Sequence, residues 1–154
     1  MNASDLVLAV ISLNNGEITG RTKLQKTIYF LNEIYEFGVK YRPYYYGPFS
    51  DEIAASVDYL KATGLINETP EKFGDMNFGN AKEVIRYKYE ITEMGKKYEK
   101  LIEEEFSDDI ARIRKLVTVI DSYNDGVSYQ DLSIAAKVHY ILKNTDKPLT
   151  IGDF

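Results

Sequence analysis

The chain has no cysteine, and its 154 residues include a single histidine, His139. The first absence removes disulfides, thiolate nucleophiles and cysteine zinc sites together. The second leaves little for acid–base or metal chemistry. On its expected helix, His139 shares a face with Leu132, Ala135 and Ala136, a packed setting rather than a ligand's. No serine elbow, Walker loop or zinc spacing occurs. Asp121 to Gly126 opens like an EF-hand calcium loop, but Tyr123 and Leu132 stand where the third and twelfth positions need oxygen ligands. We therefore expect a non-enzyme with no cofactor and no metal site. Long apolar runs are also missing. LVLAVI at 6–11 falls far short of the roughly 20 residues of a membrane span, and Asp5 precedes it where a signal peptide carries positive charge. A cytoplasmic protein without a membrane partner is the expectation.

Surplus positive charge is the last absence. The net charge is −5, with 19 basic and 24 acidic residues. Residues 1–50 hold five basic against four acidic residues, and 51–106 hold eight against thirteen. A nucleic-acid binder usually shows a basic footprint, and this chain as a whole does not.

What is present is a full complement of apolar residues, 44%, enough for one core. The first helix is expected over 5–14, capped by Ser4 and stopped by Asn14-Asn15-Gly16. A short extended piece covers 17–19. The second helix, 23–37, places Leu24, Ile28, Leu31 and Tyr35 on one face. Residues 41–46, rich in tyrosine, read as extended before Gly47-Pro48. Ser50 caps a third helix ending at Gly64, with Ile53, Val57 and Leu60 inward. Strands are expected at 65–69 and 84–91, the second alternating as VIRYKYEI, with a Gly- and Asn-rich loop over 70–83. Three helices follow. The fourth (93–106) is expected to turn Met94, Tyr98, Leu101 and Ile102 inward. The fifth (108–123) turns Ile110, Ile113, Leu116, Val117 and Ile120 inward. The sixth (129–143) opens with a capping box at Ser128 to Asp131. Pro148 and Gly152 mark a tail. The expected class is α+β, mainly α. Residues 1–91 form a winged-helix-like domain of three helices and a β-hairpin wing, and 92–154 a helical extension packed on it.

Two motifs carry a resemblance. Lys23-Leu24-Gln25-Lys26 leads into Tyr29-Phe30, and Tyr44 to Ile53 reads Y-x-Y-G-P-F-S-x-E-I. Together they resemble the YwgA-type family and, more distantly, the Panacea domain of SocA-like antitoxins, over about residues 5–91. The resemblance implies a non-enzymatic winged-helix-like domain that binds a protein, of the antitoxin or adaptor type.

Candidate contact residues fall in two sets. In helix-turn-helix docking the second helix of the motif enters the major groove. Here its outward side carries Asp51, Glu52, Ala55, Ser56, Asp58, Tyr59, Lys61 and Ala62, three acids against one lysine. Phosphate repels such a face, although the two leading acids also suit the positive end of the helix. Tyr45 and Phe49 join it as contact candidates, while Tyr44 and Tyr46 are expected in the core. Arg21, Lys23, Lys26, Lys40 and Arg42 form a basic cluster, either a plain solvated face or a contact for phosphates or an acidic partner. The wing supplies the second set: Phe73, Met76 and Phe78, with Lys82, Arg86 and Lys88. The alternative function is a transcriptional regulator touching DNA through the second helix and this wing. Ile134, Val138 and Ile141 give the sixth helix a second apolar face suited to a homodimer.

Overall fold

The computed structural model describes residues 1–45, 47–73, 84–122 and 129–145. In chain order the elements are α1 (Ala3–Leu13), β1 (Glu17–Thr19), α2 (Arg21–Tyr35), β2 (Arg42–Tyr44), β3 (Gly47–Phe49), α3 (Asp51–Ala62), β4 (Ile66–Phe73), β5 (Val84–Ile91), α4 (Glu93–Glu105), α5 (Ser107–Ser122) and α6 (Tyr129–Asn144). The class is the expected mainly-α α+β. Among the described residues a three-stranded antiparallel sheet runs β1-β5-β4, and β2 and β3 form a separate hairpin. No helix among them is long and apolar enough to cross a membrane.

The apolar run LVLAVI explains the centre. Leu6 to Ile11 are all buried. A helix apolar around its whole circumference must be enclosed on every side. α3, α4 and α5 pack around α1, with α2 and β5 beside it. The helix starts earlier than expected, because the Asn2 side chain, rather than Ser4, accepts from the Asp5 amide at 2.8 Å.

α2 also starts early, at Arg21, and reverses at Glu36, whose φ is 55°. Leu24, Ile28 and Leu31 of its predicted stripe are buried with Thr27 beside them, Tyr35 is half-buried and Ile34, expected beside the stripe, is exposed, while Gln25, Lys26 and Tyr29 are buried too. β5 is the middle strand, pairing Ile18 with Tyr89 on one side and Ile66 with Ile91 on the other. β4 continues to Phe73, so residues 70–73 are strand and not loop. Pro70 is tolerated because β4 lies at the sheet edge, where a missing amide costs no ladder bond.

α4 keeps only Ile102 of its expected inward face. Gly95, Glu99 and Ile102 are buried, whereas Met94 and Leu101 are each 60% exposed and Tyr98 is exposed as well. The cause lies at the helix start. A Cβ on Gly95 would stand 2.2 Å from the Leu65 carbonyl oxygen and 2.7 Å from Ile91 Cγ1. That close approach turns the Gly95 side of α4 inward, and Ile102 follows it into the core. α5 buries Ile110, Ile113, Val117 and Ile120 as expected, with Leu116 half-buried. α6 packs on α2 and β3. Tyr29 Oη lies 2.6 Å from His139 Nδ1, and Lys143 Nζ donates to Glu33 at 2.7 Å. His139 is therefore tied to Tyr29 from an exposed position rather than packed among its helix neighbours.

Several expectations lie outside the described residues: Tyr46, Met76, Phe78, Lys82, the helix stop at 124–126, Ser128 and the tail.

Candidate functional site

The two sequence motifs meet. Gln25 Nε2 donates to the Ser50 carbonyl at 2.9 Å, and the Ser50 amide donates to Gln25 Oε1 at 3.0 Å. Ser50 Oγ accepts from the Ile53 amide at 3.2 Å and so caps α3. Lys26 Nζ donates to the Pro48 carbonyl at 2.6 Å. One turn of α2 thus satisfies buried backbone groups where the hairpin runs into α3. Gly47 belongs to the same device. Its φ is 109°, and Lys137 of α6 packs directly over it. Lys26 is only 2% exposed, which corrects its assignment to a solvated or partner-binding face. Burial lowers its amine to about 8. Gln25 escaped sequence reasoning, although a polar pair inside the stripe Leu24, Ile28, Leu31 was a signal that something polar faces it.

Beside this interlock lies a cavity of about 350 Å3 between α2, the hairpin, α3 and β5. Leu24, Phe49, Ile53 and Val57 give it apolar walls, with Arg21, Lys26 and Asp58 as charged groups. Tyr44 and Phe49, ring centroids 4.8 Å apart, stand on the hairpin side. Tyr44 is 44% exposed, which corrects its expected place in the core. Three-residue strands leave β2 outside the packed layers, and its side chains are exposed.

Arg21 borders the cavity from a network. Its Nε donates to Tyr89 Oη at 2.7 Å, and its guanidinium meets Glu68 at 3.3 Å and lies 4.6 Å from the centre of the Tyr87 ring. Lys61 Nζ meets the other Glu68 oxygen at 2.9 Å. Burial pushes Glu68 up, but hydrogen bonds from Lys61, Tyr89 and Arg21 outweigh it and leave the carboxyl below its usual range. Burial raises Tyr89. Beyond Arg21 a broader groove of about 600 Å3 continues past Arg86 and Ile134.

The outer side of α3 carries Asp51, Glu52, Asp58 and Tyr59, all exposed. Ser56, expected there, is buried, and its hydroxyl donates to the Glu52 carbonyl at 2.8 Å. Arg42 grips Asp51 through two bonds, 2.8 and 3.0 Å, and its guanidinium lies near the Tyr44 and Phe49 rings. The hydrogen bond from Arg42 holds Asp51 below its usual range. Tyr45 is 85% exposed at the hairpin turn. Of the expected wing contacts, Phe73 ends β4. Lys88 faces Glu90, Glu71 and Glu17 at 2.8, 3.5 and 3.9 Å, and Arg86 is half-buried on the same strand. Lys23 is half-buried near the start of α2. The candidates therefore divide between the α3 and hairpin face, the buried interlock and the sheet edge. The structure does not bring them into one patch.

No family model matches the chain. Over 83 residues it is 36% identical to Uncharacterized protein YwgA of Bacillus subtilis (strain 168). That segment covers 53% of this chain and 45% of the other, so the match spans less than half of that relative. The likeness supports the YwgA-like relationship indicated by the motifs and carries no activity with it.

Proposed function

We propose that this chain is a non-enzymatic protein-interaction module that meets its partner through the outer side of α3 and the β2–β3 hairpin. The observation that carries this is where its positive charge goes. Arg21 faces Glu68, Arg42 faces Asp51, Lys88 faces three carboxylates, and Lys26 is buried on a carbonyl. Phosphate contacts supply most non-specific DNA affinity, and each cation already facing a carboxylate offers less of it. Meanwhile Tyr44, Tyr45 and Tyr59 are exposed beside the acids of α3, and tyrosine is enriched in the residues that dominate protein interfaces. The chain order helix, strand, helix, short hairpin, helix and two strands, with β1 beside β5, supports treating residues 1–91 as winged-helix-like. The likeness to Panacea-type antitoxins and an adaptor role belong to this proposal, as do a cytoplasmic setting and pairing of two copies through α6.

The test sets two measurements side by side. A photo-crosslinking residue at Tyr45 or Tyr59 is expected to capture one discrete protein in cells, while the same residue at Val119 does not. Duplex DNA is expected to show no saturable binding at moderate salt. Saturable duplex binding with a steep salt slope, abolished by charge reversal at Lys23 and Arg86, would establish the DNA-regulator alternative and overturn the proposal.

A further inference from the structure

We propose that the cavity beside the interlock is a binding site for a small organic monocarboxylate with an apolar or aromatic body. The site shares Tyr44 and Asp58 with the proposed partner face, but ligand binding to the isolated chain tests it without any partner.

Its size, about 350 Å3, is within the range of small-molecule sites, and its character matches theirs: mostly apolar walls with a few converging polar groups. Leu24, Ile53 and Val57 offer aliphatic surface, and Phe49 and Tyr44 offer ring faces and edges. The charged groups are unequal. Arg21 already shares its charge with Glu68. Among the described residues Lys26 does not: at 2% exposure its hydrogen bond goes to the Pro48 carbonyl, a neutral acceptor. A buried cation without a counter-charge is costly, and a charge-assisted bond to a carboxylate is the strongest remedy available to it. A neutral ligand leaves that cost in place, and a cationic one adds to it at the Lys26 end, since the acid of the lining, Asp58, is exposed on α3. A strongly hydrated dianion does not suit aliphatic and aromatic walls. A carboxylate at the Lys26 end, with an apolar body along α3, meets every one of these conditions.

The experiment follows the methyl resonances of Leu24, Ile53 and Val57 in the full chain during titration with phenylacetate and hexanoate, then with phenylacetamide and phenethylamine. The acids are expected to shift these methyls saturably with one-to-one stoichiometry. The amide should bind about tenfold more weakly or worse, the worth of one charge-assisted bond, and the amine should not bind. Lys26→Met should erase the preference for acid over amide. Val57→Phe, which fills the cavity from α3 without touching the interlock, should abolish binding of both acids while the protein still melts cooperatively. If Lys26→Met fails to fold, Val57→Phe decides alone. The proposal is overturned by no saturable shift with either acid, by equal binding of acid and amide, or by acid binding that survives Val57→Phe.

Discussion

Lys26 on α2 and Met94 on α4 have changed places relative to what their chemistry suggests. The lysine is 2% exposed and the methionine 60%. Around Lys26 the decisive quantity is hydrogen-bonding capacity. Pro48 and Ser50 are buried, and the Pro48 carbonyl and the Ser50 amide find their partners in the side chains of Lys26 and Gln25. Around Met94 the decisive quantity is distance. Gly95 lets α4 touch the Leu65 carbonyl, and whatever lies on the far side of that contact is left outside. Hydrophobicity assigns an inward face only where neither demand overrides it, as on α1 and α5.

The largest expected effect comes from breaking the close contact. Gly95→Ala places a methyl against the Leu65 carbonyl and should cost about 3 kcal/mol, read as a fall in the melting midpoint. Gln25→Leu keeps the volume but orphans the Ser50 amide, while the Ser50 carbonyl keeps its bond from the Ala54 amide at 3.2 Å. About 1–3 kcal/mol should be lost in urea unfolding, and Gln25→Glu should restore the amide bond. Lys26 gives a pH dependence. Its amine titrates near 8 in the native chain and near 10.5 when free, so between those values the unfolded chain binds more protons and stability rises with pH. Burial raises Tyr29, Tyr41 and Tyr89, which act oppositely once unfolded phenols ionise near 10. The gain is therefore read between pH 8 and about 9.5, at roughly 1–2 kcal/mol, and Lys26→Met should flatten it. The smallest effect sharpens the other half. Leu101→Gln on the exposed stripe of α4 should change stability by no more than about 0.5 kcal/mol, and a loss above 2 kcal/mol would return that stripe to the core.

Much of the frame was legible in the residues. Ser50 caps α3, β5 alternates around buried Tyr89, and α5 buries its predicted stripe, because each signal is local and periodic. The candidate site was legible only in outline. The two motifs were visible as strings, but Gln25 and Ser50 are 25 positions apart and only folding makes them partners. Arg42 and Asp51 likewise show a plain ion pair only once the hairpin turns back. Tyr44 looked like core because tyrosine favours strands. Strand propensity does not say whether a second layer exists to cover it.

The enclosed first helix has a consequence in time. α1 is packed by α5, whose buried residues lie about a hundred positions further along the chain. During synthesis its apolar surface emerges about a hundred residues before that cover does, so the growing chain carries an exposed apolar segment over that stretch. Of all the elements, α1 is the one for which a chaperone has the longest opportunity.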